Sequence, residues 1–148
     1  GKANAAFNLN FLDTAIVEVN KAIELNGDES EYYNLLGNIY YRKREREKAI
    51  SNFDKAIDYN PTSKRKIHLF GTYYNCGTCY LILKDYKKGE KCFNEAINID
   101  TRNARAYHNR GICLLRQDKL KDACADMEKA VSLGSLDSQK YIDENCYE

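Results

Sequence analysis

The chain has no tryptophan, one proline and two histidines, and it lacks any long apolar run. Each shortage closes off a class of explanation. A single proline in 148 residues suits uninterrupted helices, and strand-type alternation is absent throughout. The two histidines, His68 and His108, come with no Gly-rich phosphate loop and no nucleophile motif. No catalytic constellation is legible, and the chain reads as noncatalytic. The longest aliphatic or aromatic run, Tyr80 to Leu83, falls far short of the roughly 20 residues of a membrane-crossing helix. Membrane insertion is therefore not expected. Charge of one sign is missing too: 23 basic against 22 acidic residues leave a formal +1, which creates no field for nucleic acid or an anionic membrane.

What is present is periodic. With 43% hydrophobic and 30% charged residues, the chain is large enough for one continuous core. Tyr33, Leu36, Gly37, Tyr40, Ala49, Phe53, Ala56 and Pro61 form a pattern that returns twice. The second copy is Tyr73, Cys76, Gly77, Tyr80, Gly89, Phe93 and Ala96; the third is Tyr107, Gly111, Leu114, Ala123, Met127 and Ala130. Upstream, Phe7, Ala15, Val19 and Ala22 fit the latter part of an earlier copy. A repeat of about 34 residues is one helical hairpin that cannot bury its own apolar face, so copies must stack and leave a surface free for binding. The Gly and Ala positions let two helices approach, and the Tyr and Phe positions supply the bulk that fills the gaps.

The spacing of aromatic, Leu-Gly, aromatic, Ala, Phe, Ala and Pro resembles the tetratricopeptide repeat, with Tyr33 in place of the usual Trp. The resemblance spans nearly all of residues 2–134 and implies an all-α fold, a right-handed α-solenoid of stacked helix-turn-helix repeats. The expected organisation is a single domain over 1–148: a partial repeat over 1–29, repeats over 30–63, 64–103 and 104–134, and a C-terminal capping helix over 135–148.

Helices are expected over 2–10 with 13–26, 30–43 with 46–59, about 63–83 with 86–98, and 104–116 with 119–133. Asp85 and Asp118 read as helix starters, while Asn26-Gly27 and Pro61 mark exits. Ala56 to Tyr73 is 17 residues where the regular junctions have 11. Six residues are thus inserted around Thr62 to Phe70, lengthening the first helix of that hairpin; a second register, with Phe70, Gly71 and Tyr74 as the signature, remains open. Lys64, Arg65, Lys66 and His68 give this stretch a positive edge, read first as a solvated face and second as a dock for an acidic partner. Beyond Gly134, Leu136, Tyr141, Ile142 and Cys146 are expected to line one face of the last helix.

In the tetratricopeptide family the first helix of each pair lines a concave groove. Carried onto this chain, the groove positions are Asn34, Asn38, Tyr41 and Arg42, then Tyr74, Asn75, Thr78 and Ile82, then Arg105, His108, Asn109, Ile112 and Arg116. Asn38, Asn75 and Asn109 offer donor and acceptor to the main chain of an extended peptide, Tyr74, Leu81 and Ile112 offer apolar seats, and Arg42, Arg105 and Arg116 offer forked donors to carboxylates. Some family members clamp the acidic tail of heat-shock chaperones. Asn38, Asn75 and Arg105 suit that clamp, but Asn34 and Asn109 stand where it requires a Lys and an Arg.

Six cysteines complete the inventory. Cys76 and Cys79 form a C-x-x-C in mid-helix, away from the free amides that activate redox pairs, and read as buried packing thiols. No second C-x-x-C supplies further zinc ligands, so neither metal nor cofactor is expected. Should the chain be exported, Cys124 and Cys146 are the pair expected to join, tying the last repeat to its cap. No compartment follows; the cytoplasm is slightly favoured, and a chain opening inside a repeat leaves room for a removed export signal. The reading is an interaction scaffold that binds a peptide or protein segment of unknown identity. The alternatives are self-assembly into a homo-oligomer and a regulatory module of a larger protein, with the chaperone-tail clamp behind both.

Overall fold

Eight helices and no strand occur among the described residues, 11–26, 29–59 and 66–146, of the computed structural model. They are α1 (Leu12–Asn26), α2 (Ser30–Arg42), α3 (Arg46–Asp58), α4 (Lys66–Ile82), α5 (Tyr86–Ile99), α6 (Ala104–Leu115), α7 (Leu120–Ser132) and α8 (Leu136–Asn145). The chain divides into two compact units, residues 1–65 and 66–148. The helix expected over 2–10, Phe7, Gly27, Pro61 and the positive edge from Lys64 lie outside the described residues or their described side chains.

One closure recurs between paired helices. Arg44, Lys84 and Asp118 each take a left-handed φ, 63°, 63° and 60°. The amide after each reaches back five residues: Glu45 N–H to Tyr40 O, Asp85 to Tyr80 and Lys119 to Leu114, at 3.0, 2.9 and 3.0 Å. This satisfies a carbonyl left open at the helix end. Gly134, at φ 95°, closes α7 in the same way, with Ser135 N–H donating to Ala130 O. The sequence expectation for Asp118 is corrected here: Asp118 makes the turn, and Lys119 stands at the N-cap of α7. A short polar residue tolerates the left-handed region, and Asp118 uses that property in place of capping. Asp85 does cap α5, accepting from Lys88 N–H at 3.2 Å. Asn103 and Ser135 cap α6 and α8.

Within unit 1, α1, α2 and α3 enclose Ala15, Val19, Tyr33, Leu36, Ile39 and Ala56. The hydroxyl of Ser30 at the start of α2 donates to the carbonyl of Ala56 on α3 at 2.6 Å. The Phe53 ring covers Gly37, leaving no room for a Cβ there.

Unit 2 repeats this knob-into-hole arrangement. A Cβ on Gly77 would come within 2.9 Å of the Phe93 ring, and one on Gly111 within 2.8 Å of the Met127 methyl. Gly71 has nothing within 4 Å of its Cβ position, so Gly77 is the packing glycine and the register built on Tyr73 holds. The long first helix is observed, 17 residues in α4 against 12 in α6. At the C-terminal end Ile142 is buried and Cys124 is bonded to Cys146, which ties α7 to the end of α8. Leu136 departs from expectation, lying 87% exposed. It is the first residue of α8, and the buried positions of that helix are Ser138 and Ile142.

Candidate functional site

On α6 and its C-cap, Arg105, Asn109, Ile112 and Arg116 recur at intervals of three or four residues and so form one stripe of the helix surface. α4 lies beside that stripe. The side-chain amide of Asn109 donates to the phenolic oxygen of Tyr74 at 3.2 Å, which joins two of the expected groove residues across adjacent helices. Tyr74 is half-buried, its ring edge-on to Phe93 and stacked on Phe70, both at 5.8 Å between centroids. It therefore packs as well as presenting its hydroxyl. Thr78 turns its hydroxyl onto the Tyr74 carbonyl at 2.9 Å, satisfying itself within α4. Asn75 and Ile112 are half-buried, whereas Ile82, Arg105 and Arg116 are exposed. The arrangement offers amides and apolar patches between two exposed guanidinium groups.

In unit 1 the corresponding face of α2 carries Asn34, Asn38, Tyr41 and Arg42. Asn38 donates to Asn34 across one helical turn at 3.5 Å, a weak bond at that length. The Arg46 guanidinium lies 4.8 Å from the centroid of the Tyr41 ring, and Arg42 is exposed.

His108 is half-buried against α8. Its Nδ1 is 2.8 Å from the Ser138 hydroxyl, and its ring meets Tyr141 edge-on at 6.2 Å. α8 thus covers the imidazole that the sequence assigned to the groove. Burial pulls the His108 pKa below its ordinary 6.5, against the pull of the Asp137 carboxylate. The unfolded chain then binds more protons than the folded one in this range, so stability rises with pH there. Stability is accordingly expected to fall as pH drops through about 6.5, and His108→Gln to flatten that limb. Urea midpoints at about pH 7.5 and 5.5 for both chains check this; an equal fall in the two would contradict it.

A largely buried polar cluster has no counterpart in the repeat pattern. Arg110 on α6 makes a forked pair with Asp126 on α7, at 2.7 and 2.6 Å, and reaches Asn94 on α5 at 2.8 Å. An acidic residue on the inner face of α7, one position before Met127, was the available signal. The cysteines behave as packing residues: Cys76, Cys79 and Cys113 are buried and unbridged, and burial pushes the Cys113 thiol up to about 12. No group of three or more metal-ligating side chains occurs among the described residues, and none of the described helices is long and apolar enough to cross a membrane.

Family profiles described as "Tetratricopeptide repeat" match residues 30–63, 70–103 and 92–125. Among curated proteins, "Protein STIP1 homolog" of Dictyostelium discoideum is 40% identical over 70 residues, covering 47% of this chain and 12% of that protein. The chain spans between 12% and 30% of the length of six such relatives. Many solved structures share the fold, and two illustrate it. "YrrB: a TPR protein with an unusual peptide-binding site" has a TM-score of 0.83 at 22% identity, over 97% of this chain and 75% of that one. "First TPR of Spaghetti (RPAP3) bound to HSP90 peptide SRMEEVD" has 0.68 at 21%, over 78% and 88%. At such identities the likeness is one of fold.

Proposed function

We propose that this chain, which belongs to the tetratricopeptide-repeat family, is a noncatalytic adaptor that grips an extended peptide or protein segment along α4 and α6. The hydrogen bond from Asn109 to Tyr74 carries the reading. It sets two helices side by side with Arg105, Ile82 and Arg116 turned to solvent. A bound segment would pair its main chain with the Asn75 and Asn109 amides, seat apolar side chains on Ile82 and Ile112, and place carboxylates on the guanidinium groups. The HSP90 peptide named for the RPAP3 structure and the peptide-binding site, called unusual, named for the YrrB structure support peptide binding by this fold. A chaperone tail is a poorer fit, because Asn34 and Asn109 remove two of the clamp's cations.

A peptide selected from a random-sequence display library on the immobilised chain provides the probe. Asn75→Ala combined with Asn109→Ala is expected to weaken its binding about tenfold, from two lost hydrogen bonds at about 0.5–1.5 kcal/mol each. The helical circular-dichroism signal should be retained. Unchanged affinity in the double variant, or no peptide recovered, would overturn the assignment. The heptapeptide SRMEEVD serves as a second probe, and binding tighter than that of the selected peptide would restore the chaperone-tail reading.

A further inference from the structure

Helix α8 is held differently from its neighbours. α2, α3, α5, α6 and α7 each bury four residues, whereas α8 buries two, one of them Ser138. Asp137, Gln139, Lys140, Asp143 and Glu144 are exposed, as is Leu136 at its start. A ten-residue helix is marginal on its own in water, and one aliphatic side chain, Ile142, is little to hold it. Its remaining side-chain ties among the described residues are the contacts of Ser138 and Tyr141 with His108 near its start and middle, and the Cys124–Cys146 disulfide at its end.

We propose that α8 is a redox-held strap over the His108 edge of the binding face, released when the Cys124–Cys146 disulfide is reduced. The inference rests on reading α6 as a binding face. Both sulfurs belong to half-buried residues, open to attack by a dithiol. Its thiolate attacks one sulfur, the Cys124–Cys146 bond breaks, and resolution by the second thiol leaves two cysteine thiols and an oxidised dithiol. With the crosslink gone, the ordering of α8 depends on Ile142 and the His108 contacts alone, and the helix frays. His108 then joins Arg105 and Asn109 on an enlarged face, adding an imidazole donor and acceptor.

Amide hydrogen exchange of the full chain, with and without dithiothreitol, tests this. Reduction is expected to accelerate the α8 amides about 100-fold while those of α6 and α7 change less than about threefold. Cys124→Ser with Cys146→Ser should reproduce the reduced pattern without reductant and no longer respond to it. Diethyl pyrocarbonate should label His108 about tenfold faster in the reduced chain. Two results would overturn the strap: α8 amides indifferent to reduction, or α6 and α7 amides accelerating as much as α8, which would make the disulfide a staple of the whole unit. Neither readout involves ligand, so a negative result here leaves the peptide-binding test standing, and the converse holds.

Discussion

Phe93→Ala is expected to cost unit 2 about 3–5 kcal/mol, the usual loss for a fully buried aromatic ring. The ring has no exposed surface, covers Gly77 and meets Tyr74 edge-on. Removing it forfeits the burial of the ring and leaves a void that two facing helix backbones cannot close without shifting. The contact is reciprocal, which sharpens the test. Gly77→Ala in the wild-type chain drives a Cβ against Phe93 and is destabilising, whereas in the Phe93→Ala background the same methyl enters the vacated space. The two costs should therefore not add. Urea midpoints for the wild type, both single variants and the double variant complete the cycle. A double variant as unstable as the sum of the singles would show that the glycine and the ring are not partners. Phe53→Ala should give a loss of similar size in unit 1, where the ring covers Gly37.

Those pairs were legible because they are local consequences of a period. A Gly and an aromatic 16 residues apart, as in Gly37 with Phe53 and Gly77 with Phe93, report a hairpin whose two arms meet, and no distant information is needed. The helix bounds followed from the same period to within a few residues. Asp118 was misassigned because a short acidic residue before a helix serves a cap and a left-handed turn equally well, and only the backbone dihedral separates the two. The groove stripe on α6 was readable as spacing, but the withdrawal of His108 beneath α8 was not: Ser138 lies 30 residues away, beyond the last repeat, where the period no longer predicts what packs on what. The Cys124–Cys146 pairing was foreseeable as the tie between the last repeat and its cap, conditional on export. The Arg110 cluster escaped notice because both charged residues sit on helices otherwise rich in solvated charge, and the pattern gives no sign of which charge points inward.

Asp126→Ala should destabilise unit 2 by about 3 kcal/mol, at the lower end of what breaking a buried ion pair costs. The Asp126 side chain is 8% exposed and that of Arg110 23%, so removing the carboxylate strands a guanidinium that water reaches only in part. Two features moderate the loss: Arg110 keeps its bond to Asn94, and it lies 5.5 Å from the centroid of the Tyr107 ring. Much of the penalty belongs to the stranded cation, so Arg110→Met in the Asp126→Leu background should recover most of the stability. Denaturation midpoints of the Asp126→Ala chain and this apolar pair separate the two contributions. A loss below about 1 kcal/mol in the single variant would mean that the pair is worth no more than a surface ion pair. Stability is only part of what the pair supplies. By reaching Asn94 on α5 as well as Asp126 on α7, Arg110 ties successive hairpins in one register, since a forked guanidinium satisfies both partners in a single geometry. The apolar pair has no such directional demand. It should therefore come close to the wild-type midpoint while exchanging the α5 and α6 amides faster than wild type, and slower or unchanged exchange would leave the cluster with no role in alignment.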